Sequence, residues 1–280
     1  MHTTSLRSHI RASSPYHSAM RAHSSRYVIV GAVVAALLVS SAVGASAAPS
    51  PVVPIIIVGQ PSAIVGVNQG LPPLSPTEDY DAGPALAPVI EAYRDSGQYQ
   101  ADQAAVAREA QEFLDEWMQE HCESPRRCDG KKPAAVFDID DTLVDWYPTY
   151  QSMDFQAQSA VVSNAIVNCL TPAIVAVRKF LHHAQRRGVS VFLISGRPVV
   201  ARQVTAACLN QLDISDWQWM YLRQPYQETL TAEQYKSSTR GIIEARGYKI
   251  ITSIGDQLSD STGGHVELGF RLPNPMYYIA

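Results

Sequence analysis

Charge is scarce in this chain. Asp, Glu, Lys and Arg make up 17% of its 280 residues against 46% hydrophobic ones, which excludes a compositionally disordered chain and leaves apolar material for a sizeable core in one principal domain. Acidic residues are absent from positions 1–47, where four Arg accompany the apolar run Tyr27 to Val39 and the small residues Ala45-Ser46-Ala47. That order of charge, apolar run and small residues is the order of a secretory signal peptide, and the run is too short to span a bilayer comfortably. We expect a signal peptide over 1–47 with cleavage after Ala47, since Pro49 disfavours a cut directly before it; a start at Met20 instead of Met1 would give the charged region a more ordinary length. No cysteine lies near that cut, which argues against a lipid-anchored lipoprotein. The mature product is expected to be secreted or associated with the cell envelope, with no stable membrane span.

Removing residues 1–47 leaves 18 Lys+Arg against 26 Asp+Glu, a net charge of −8. A chain that acidic is a poor general binder of nucleic-acid polymers. Its cysteines are few, Cys122, Cys128, Cys169 and Cys208, and all lie in the exported part, where disulfides persist. Three pairings are possible. We favour Cys122 with Cys128 across the turn Glu123-Ser124-Pro125-Arg126-Arg127, and Cys169 with Cys208 between two helical segments. Metal ligation is the rival reading, and no C-x-x-C or nearby His pair supports it.

Residues 48–82 hold seven Pro among Val, Ile and Gly. Such density blocks a regular helix or a central strand, so a disordered, extended tether is expected there. From Gln98 the apolar residues Val106, Ala110, Phe113, Leu114 and Trp117 recur at three and four, the period of an amphipathic helix with Trp117 in the core. A second such stripe, Ile174, Val177, Leu181 and Ala184, stops near Gly188; His182 and His183 sit beside it as helix-surface positions more than as metal ligands. Buried strands are expected at Ala134–Phe137, Val189–Ile194, Trp217–Leu222 and Tyr248–Ile254, with a helix at Ala232–Ala245. Alternating strands and helices argue for a parallel α/β sheet with its site at the strand C-termini.

Three of those strands end in polar residues. Asp138 and Asp140 follow the first, Ser195-Gly196-Arg197 the second, and Asp256 with Asp260 the last, while Lys236 lies on the helix leading into it. Carboxylates placed where a strand stops are costly unless a cation or protons compensate them. Their convergence describes a hard oxygen-ligand site suited to Mg²⁺, and a Ser hydroxyl, the Gly196 amide and a Lys ammonium suit a phosphoryl group. Trp146, Tyr147 and Tyr150 crowd beyond the first strand and are expected at a substrate entrance, with core packing of a small cap as the alternative. Asp141 and Asp145 read as structural, capping or solvated; Arg197 and Arg240 read equally well as surface charges, ion pairs or site residues.

The order D-x-D-x-T (Asp138, Asp140, Thr142), Ser195 before Gly-Arg, a lone Lys236 and G-D-x-x-x-D (Asp256, Asp260) resembles the four motifs of the haloacid dehalogenase-like superfamily. More closely, Phe137 to Leu143, Tyr235-Lys236 with Arg240, Gly247-Tyr248, Gly255-Asp256-Gln257 and the ending Leu272-Pro273-Asn274-Pro275-Met276-Tyr277-Tyr278 are similar to its secreted acid phosphatase branch. That branch includes plant acid phosphatases, vegetative storage proteins and bacterial class B and C acid phosphatases. Ser195 departs from it, standing where Thr is commoner, and the four cysteines are no signature of it. The resemblance implies a phosphatase domain over 83–280: a Rossmann-like parallel sheet with helices on both faces and a small helical cap. It implies Asp138 as nucleophile and Asp140 as proton donor. Mg²⁺ would sit on Asp138, the Asp140 backbone carbonyl and Asp256, with Asp260 ligating or holding a metal-bound water. Ser195, Gly196 and Lys236 would hold the phosphoryl oxygens of a small phosphomonoester. A catalytically weak storage or binding protein on the same fold is the alternative.

Overall fold

A computed structural model of the chain describes residues 63–66 and 79–279. The expected signal peptide and both candidate start sites lie outside the described residues. In chain order the elements are β1 (Ala63–Gly66), β2 (Tyr80–Asp81), α1 (Ala87–Asp95), α2 (Gln98–His121), β3 (Cys122–Ser124), β4 (Arg127–Cys128), β5 (Lys132–Phe137), α3 (Tyr147–Gln151), α4 (Ser159–Val167), α5 (Val175–Arg186), β6 (Ser190–Pro198), α6 (Arg202–Gln211), β7 (Trp219–Arg223), α7 (Ala232–Ala245), β8 (Tyr248–Gly255), β9 (Leu268–Arg271) and β10 (Tyr277–Tyr278). No helix among the described residues is long and apolar enough to cross a membrane.

Six strands form one parallel sheet in the order β1-β9-β8-β5-β6-β7. The chain steps from β5 to β6 to β7 in one direction, then returns through α7 to place β8 on the other side of β5. Right-handed crossovers running in opposite directions put helices on opposite faces. The strand sequences match this, because alternate residues serve different cores: Ala135, Phe137, Val191 and Leu193 join the cluster under α2 and α5, whereas Ala134, Val136, Phe192 and Ile194 join Tyr235 and Ile243 of α7. At β5, where the strand order reverses direction, open α/β sheets bind their ligands beyond the strand C-termini.

Local chemistry sets the helix ends. Thr231 and Gln234 form a reciprocal capping box at the start of α7. The α5 stripe Val177, Phe180, Leu181 and Ala184 is buried, and the helix stops as expected at Gly188, whose φ of 82° favours a residue without a side chain. A Cβ there would also meet the Pro125 carbonyl oxygen at 2.9 Å. Between β5 and α5 the short helices α3 and α4 make the small cap. Both favoured disulfides are present: Cys122–Cys128 closes the β3–β4 hairpin, and Cys169–Cys208 joins the end of the cap to α6.

The Pro-rich stretch corrects one expectation. Within 48–82, β1 lies on the sheet edge beside β9, and Tyr80–Asp81 pairs with β10. Ala63–Gly66 falls in the Pro-free interval between Pro61 and Pro72, so it retains the N–H donors that pairing needs, and as an edge strand it must satisfy one neighbour only. The remainder of the stretch up to residue 78 lies outside the described residues.

Candidate active site

The first wall of the site is the turn after β5. Asp138 N still bonds the Ile254 carbonyl across the sheet at 3.0 Å, after which Leu143 N and Val144 N return to the Ile139 carbonyl and reverse the chain. Asp141 takes a left-handed φ of 48° in that reversal and accepts from Trp146 N at 3.0 Å, so it is a buried cap, not a solvated acid. Asp145 likewise accepts from Tyr147 N at the start of α3 and pairs with Arg94 at 2.7 Å.

The two catalytic candidates stand in different electrostatic settings. Asp138 is buried with Lys236 Nζ 3.4 Å from its Oδ1, and Lys236 also bonds Asp260 at 2.5 Å. Burial pushes the Asp138 carboxyl well up; Lys236 opposes this, while Asp260, Asp256 and Asp140 add to it. For Asp140, burial also favours the neutral acid, but the Arg197 guanidinium outweighs it and holds the carboxyl below its usual range. Arg197 Nε reaches both Asp140 oxygens at 3.1 and 3.0 Å and Nη2 reaches Oδ1 at 2.6 Å; Trp146 Nε1 donates at 2.6 Å and Ser195 Oγ lies 3.3 Å away. Arg197 is aimed there by an irregularity in the β6–β7 register between Ser195 and Pro198. It is thus an ion-pair residue in the site. Gly196, beside it, is exposed with open space where a Cβ would stand.

The far wall comes from α7, β8 and the loop after it. Asp138, Asp256 and Asp260 each offer an oxygen within 4.8 Å of the others, and all three are buried. Asp256 Oδ2 accepts from Gln257 at 2.5 Å and Asn274 at 2.7 Å, whereas its Oδ1, like Asp138 Oδ1, is buried without a hydrogen-bond partner. Burial, with the charge of Asp260, raises the Asp256 carboxyl to about 6. One carboxylate oxygen with no partner and another held only by a 3.4 Å ion pair with Lys236, among three buried carboxylates, fit a hard divalent cation. Asp260 is more committed, with Oδ1 on Lys236 and Oδ2 accepting from Gln257 N at 2.9 Å.

Sequence reasoning undervalued two supports. Arg240 is fully buried and donates to the Gly264, Ser259, Asp260 and Thr262 carbonyls, shaping the loop that carries Asp260. Asn274 fixes Asp256 from the C-terminal segment; its place in the ending Leu272 to Tyr278, which resembles the acid phosphatase branch, was the available signal. The aromatics depart from an exposed entrance. Trp146 is buried with its indole N–H on Asp140, Tyr147 packs among Tyr99, Phe155 and Arg94, and Tyr150 stacks on Tyr277 at 5.0 Å. Tyr147 turns back onto residues of α1 and α2, while Trp146 stays at the site on Asp140. His183 bonds Asp115 at 2.9 Å and His182 the Asp213 carbonyl at 2.7 Å, both as ties between segments.

Residues 81–280 match the family model for subfamily IIIB of the HAD superfamily, described as acid phosphatase. The chain belongs to that family. It is similar to acid phosphatase 1 of Solanum lycopersicum, 31% identical over 164 residues, covering 57% of this chain and 64% of the relative. It is also similar to vegetative storage protein 1 of Arabidopsis thaliana, 30% identical over 152 residues, 51% of this chain and 54% of the relative. The matched segments thus span a little over half to under two thirds of these relatives. Among solved structures, the class C acid phosphatase from Bacillus anthracis shares the fold with a TM-score of 0.57 at 22% identity, over 70% of this chain and 85% of that one.

Proposed function

We propose that this HAD-family protein is an exported, Mg²⁺-dependent phosphomonoesterase that works through an aspartyl-phosphate intermediate. The observation that carries the reading is the division of labour between two carboxylates two residues apart. Asp138 lies against Lys236 and clusters with Asp256 and Asp260, while Asp140 is turned aside onto Arg197, Trp146 and Ser195. Asp138, Asp256, Asp260 and the Asp140 carbonyl would hold Mg²⁺. When bound, the ion supplies neutralisation of phosphoryl charge, which lets one anion approach another.

In the first step an Asp138 oxygen forms a bond to phosphorus, the ester P–O bond breaks with its electrons going to the leaving oxygen, and Asp140 delivers a proton there. Lys236, Ser195 Oγ and the Gly196 amide bind the non-bridging oxygens. In the second step Asp140, now ionised, takes a proton from water as the water oxygen bonds phosphorus and the Asp138–phosphorus bond breaks. Phosphate leaves and both carboxyls return to their initial states.

The similarity to vegetative storage proteins favours a second reading, a weakly catalytic storage or binding role on the same site. A panel of phosphomonoesters assayed with Mg²⁺ and after chelation separates the two. The phosphatase reading expects turnover that chelation abolishes and Mg²⁺ restores; phosphate release no faster than from buffer, or turnover indifferent to chelation, sends the account to the second reading.

A further inference from the structure

A cavity of about 640 Å³ opens between α2 and the first turn of α5, and none of the catalytic or phosphate-binding candidates lines it. Its apolar wall includes Ala107, Pro172, Ile174 and Phe180; its polar wall carries Arg94, Arg108 and Lys179 against a single acid, Asp145. In a chain of net charge −4, that is a local reversal of sign. The one acid is already committed, with Oδ2 on Arg94 at 2.7 Å and Oδ1 on Tyr147 N at 3.0 Å. Arg108 has only a loose, exposed pairing with Glu112 at 4.0 Å among the described residues.

Two of the lining groups are buried donors without an acceptor. Gln103 is 4% exposed, and its Nε2 is buried with no partner. Arg94 Nη1 is buried and unpartnered too, on a guanidinium held over the Tyr99 and Tyr147 rings. The twelve-residue α5 begins at the cavity with Val175 and Ala176 in its lining, no side chain capping its N-terminus and no acid in its first turn. A helix start leaves backbone N–H groups without intrahelical acceptors and carries partial positive charge. Buried donors without acceptors are costly and are rarely left so.

We propose that this cavity binds a small amphipathic organic anion, a carboxylate or tetrahedral oxyanion head on an apolar body. The head would supply the acceptors that Gln103, Arg94 and the α5 N-terminus lack, with Arg108 and Lys179 adding charge; the body would cover Pro172 and Val175, the exposed apolar residues of the lining. The volume lies within the range of pockets that enclose small ligands.

Calorimetric titration of the exported protein with nonanoate, octanesulfonate and uncharged 1-octanol, which all carry an octyl chain, tests this, and its readout needs no turnover. Both anions share an apolar body and differ in the head, so their ranking says whether the site prefers a planar or a tetrahedral oxyanion. Saturable binding at one site per chain is expected, at least about tenfold tighter for the better anion than for 1-octanol. An Arg108→Glu/Lys179→Glu variant, which alters surface charge without opening the core, should weaken that anion by about tenfold or more and leave the melting temperature without ligand close to wild type. Gln103→Leu, close in size but lacking the donor, should weaken it as well. Absence of saturable anion binding, equal binding of 1-octanol, or unchanged affinity in the charge-reversal variant would each overturn the proposal.

Discussion

Replacing Arg197 by Met should move the pH dependence of the reaction toward alkali. In the proposed mechanism Asp140 has to carry a proton to protonate a leaving alkoxide, and above its pKa the protonated fraction falls tenfold per pH unit. Burial alone would favour that protonated form, but the two-pronged contact with Arg197 at 2.6 to 3.1 Å overrides it and depresses the pKa. The limb of kcat/KM that falls with rising pH is therefore expected at acid pH in the intact protein. Met fills similar volume with neither charge nor donors. Losing an opposite charge in direct contact raises a carboxyl pKa by about 1 to 3 units, and the remaining burial acts in the same direction. The assay is kcat/KM against pH for one alkyl phosphate in both proteins, so that ionisation of the substrate is common to the two profiles. The limb should shift upward by about 1 to 3 pH units. A limb that stays in place, or moves toward acid, would refute the assignment of Arg197 as the group that sets the protonation of Asp140.

Asp140→Asn should slow alkyl phosphates by about 10² to 10⁴ and p-nitrophenyl phosphate much less, because p-nitrophenolate leaves without a proton; steady-state rates on the two esters check the contrast. Arg240→Met should destabilise the fold by about 3 kcal/mol or more, since four loop carbonyls lose their donor at a buried position; urea melts give the figure, and weakened metal protection should accompany it. Replacing both Cys169 and Cys208 by Ala should cost about 2 to 4 kcal/mol through the 39-residue separation they bridge, which the same melts measure against the oxidised parent.

The strands β5 and β6 were legible because their apolar runs are buried on both faces and end in Asp138 and Ser195. The helix expected at Ala232–Ala245 has those bounds, since Thr231 and Gln234 announce its start. The return of β8 to the far side of β5 could not be read from any local pattern: order within a sheet follows from crossovers, not from the strands themselves. Arg197 was left between surface and site because its aim depends on an irregularity in strand register. For Trp146, Tyr147 and Tyr150 the entrance and core-packing readings stayed side by side, because an aromatic cluster after a strand has the same composition whether it overhangs a site or folds inward. Asp145 was left among structural, capping and solvated readings; it accepts from Tyr147 N at the start of α3, and its partner Arg94 lies 51 residues earlier in the chain, beyond the reach of any spacing argument.

The central claim is that phosphorus is transferred to Asp138 and released from it with the help of Asp140. The most direct measurement is acid quenching of the Asp140→Asn protein during turnover of p-nitrophenyl phosphate with Mg²⁺, followed by mass spectrometry of its peptides. With the first step nearly intact for that leaving group and the second deprived of its base, a phosphorylated species should accumulate, carried on the peptide that contains Asp138 and absent from Asp138→Asn protein treated in parallel. Phosphate found on another residue, or no trapped phosphopeptide while p-nitrophenol is released, would contradict the account.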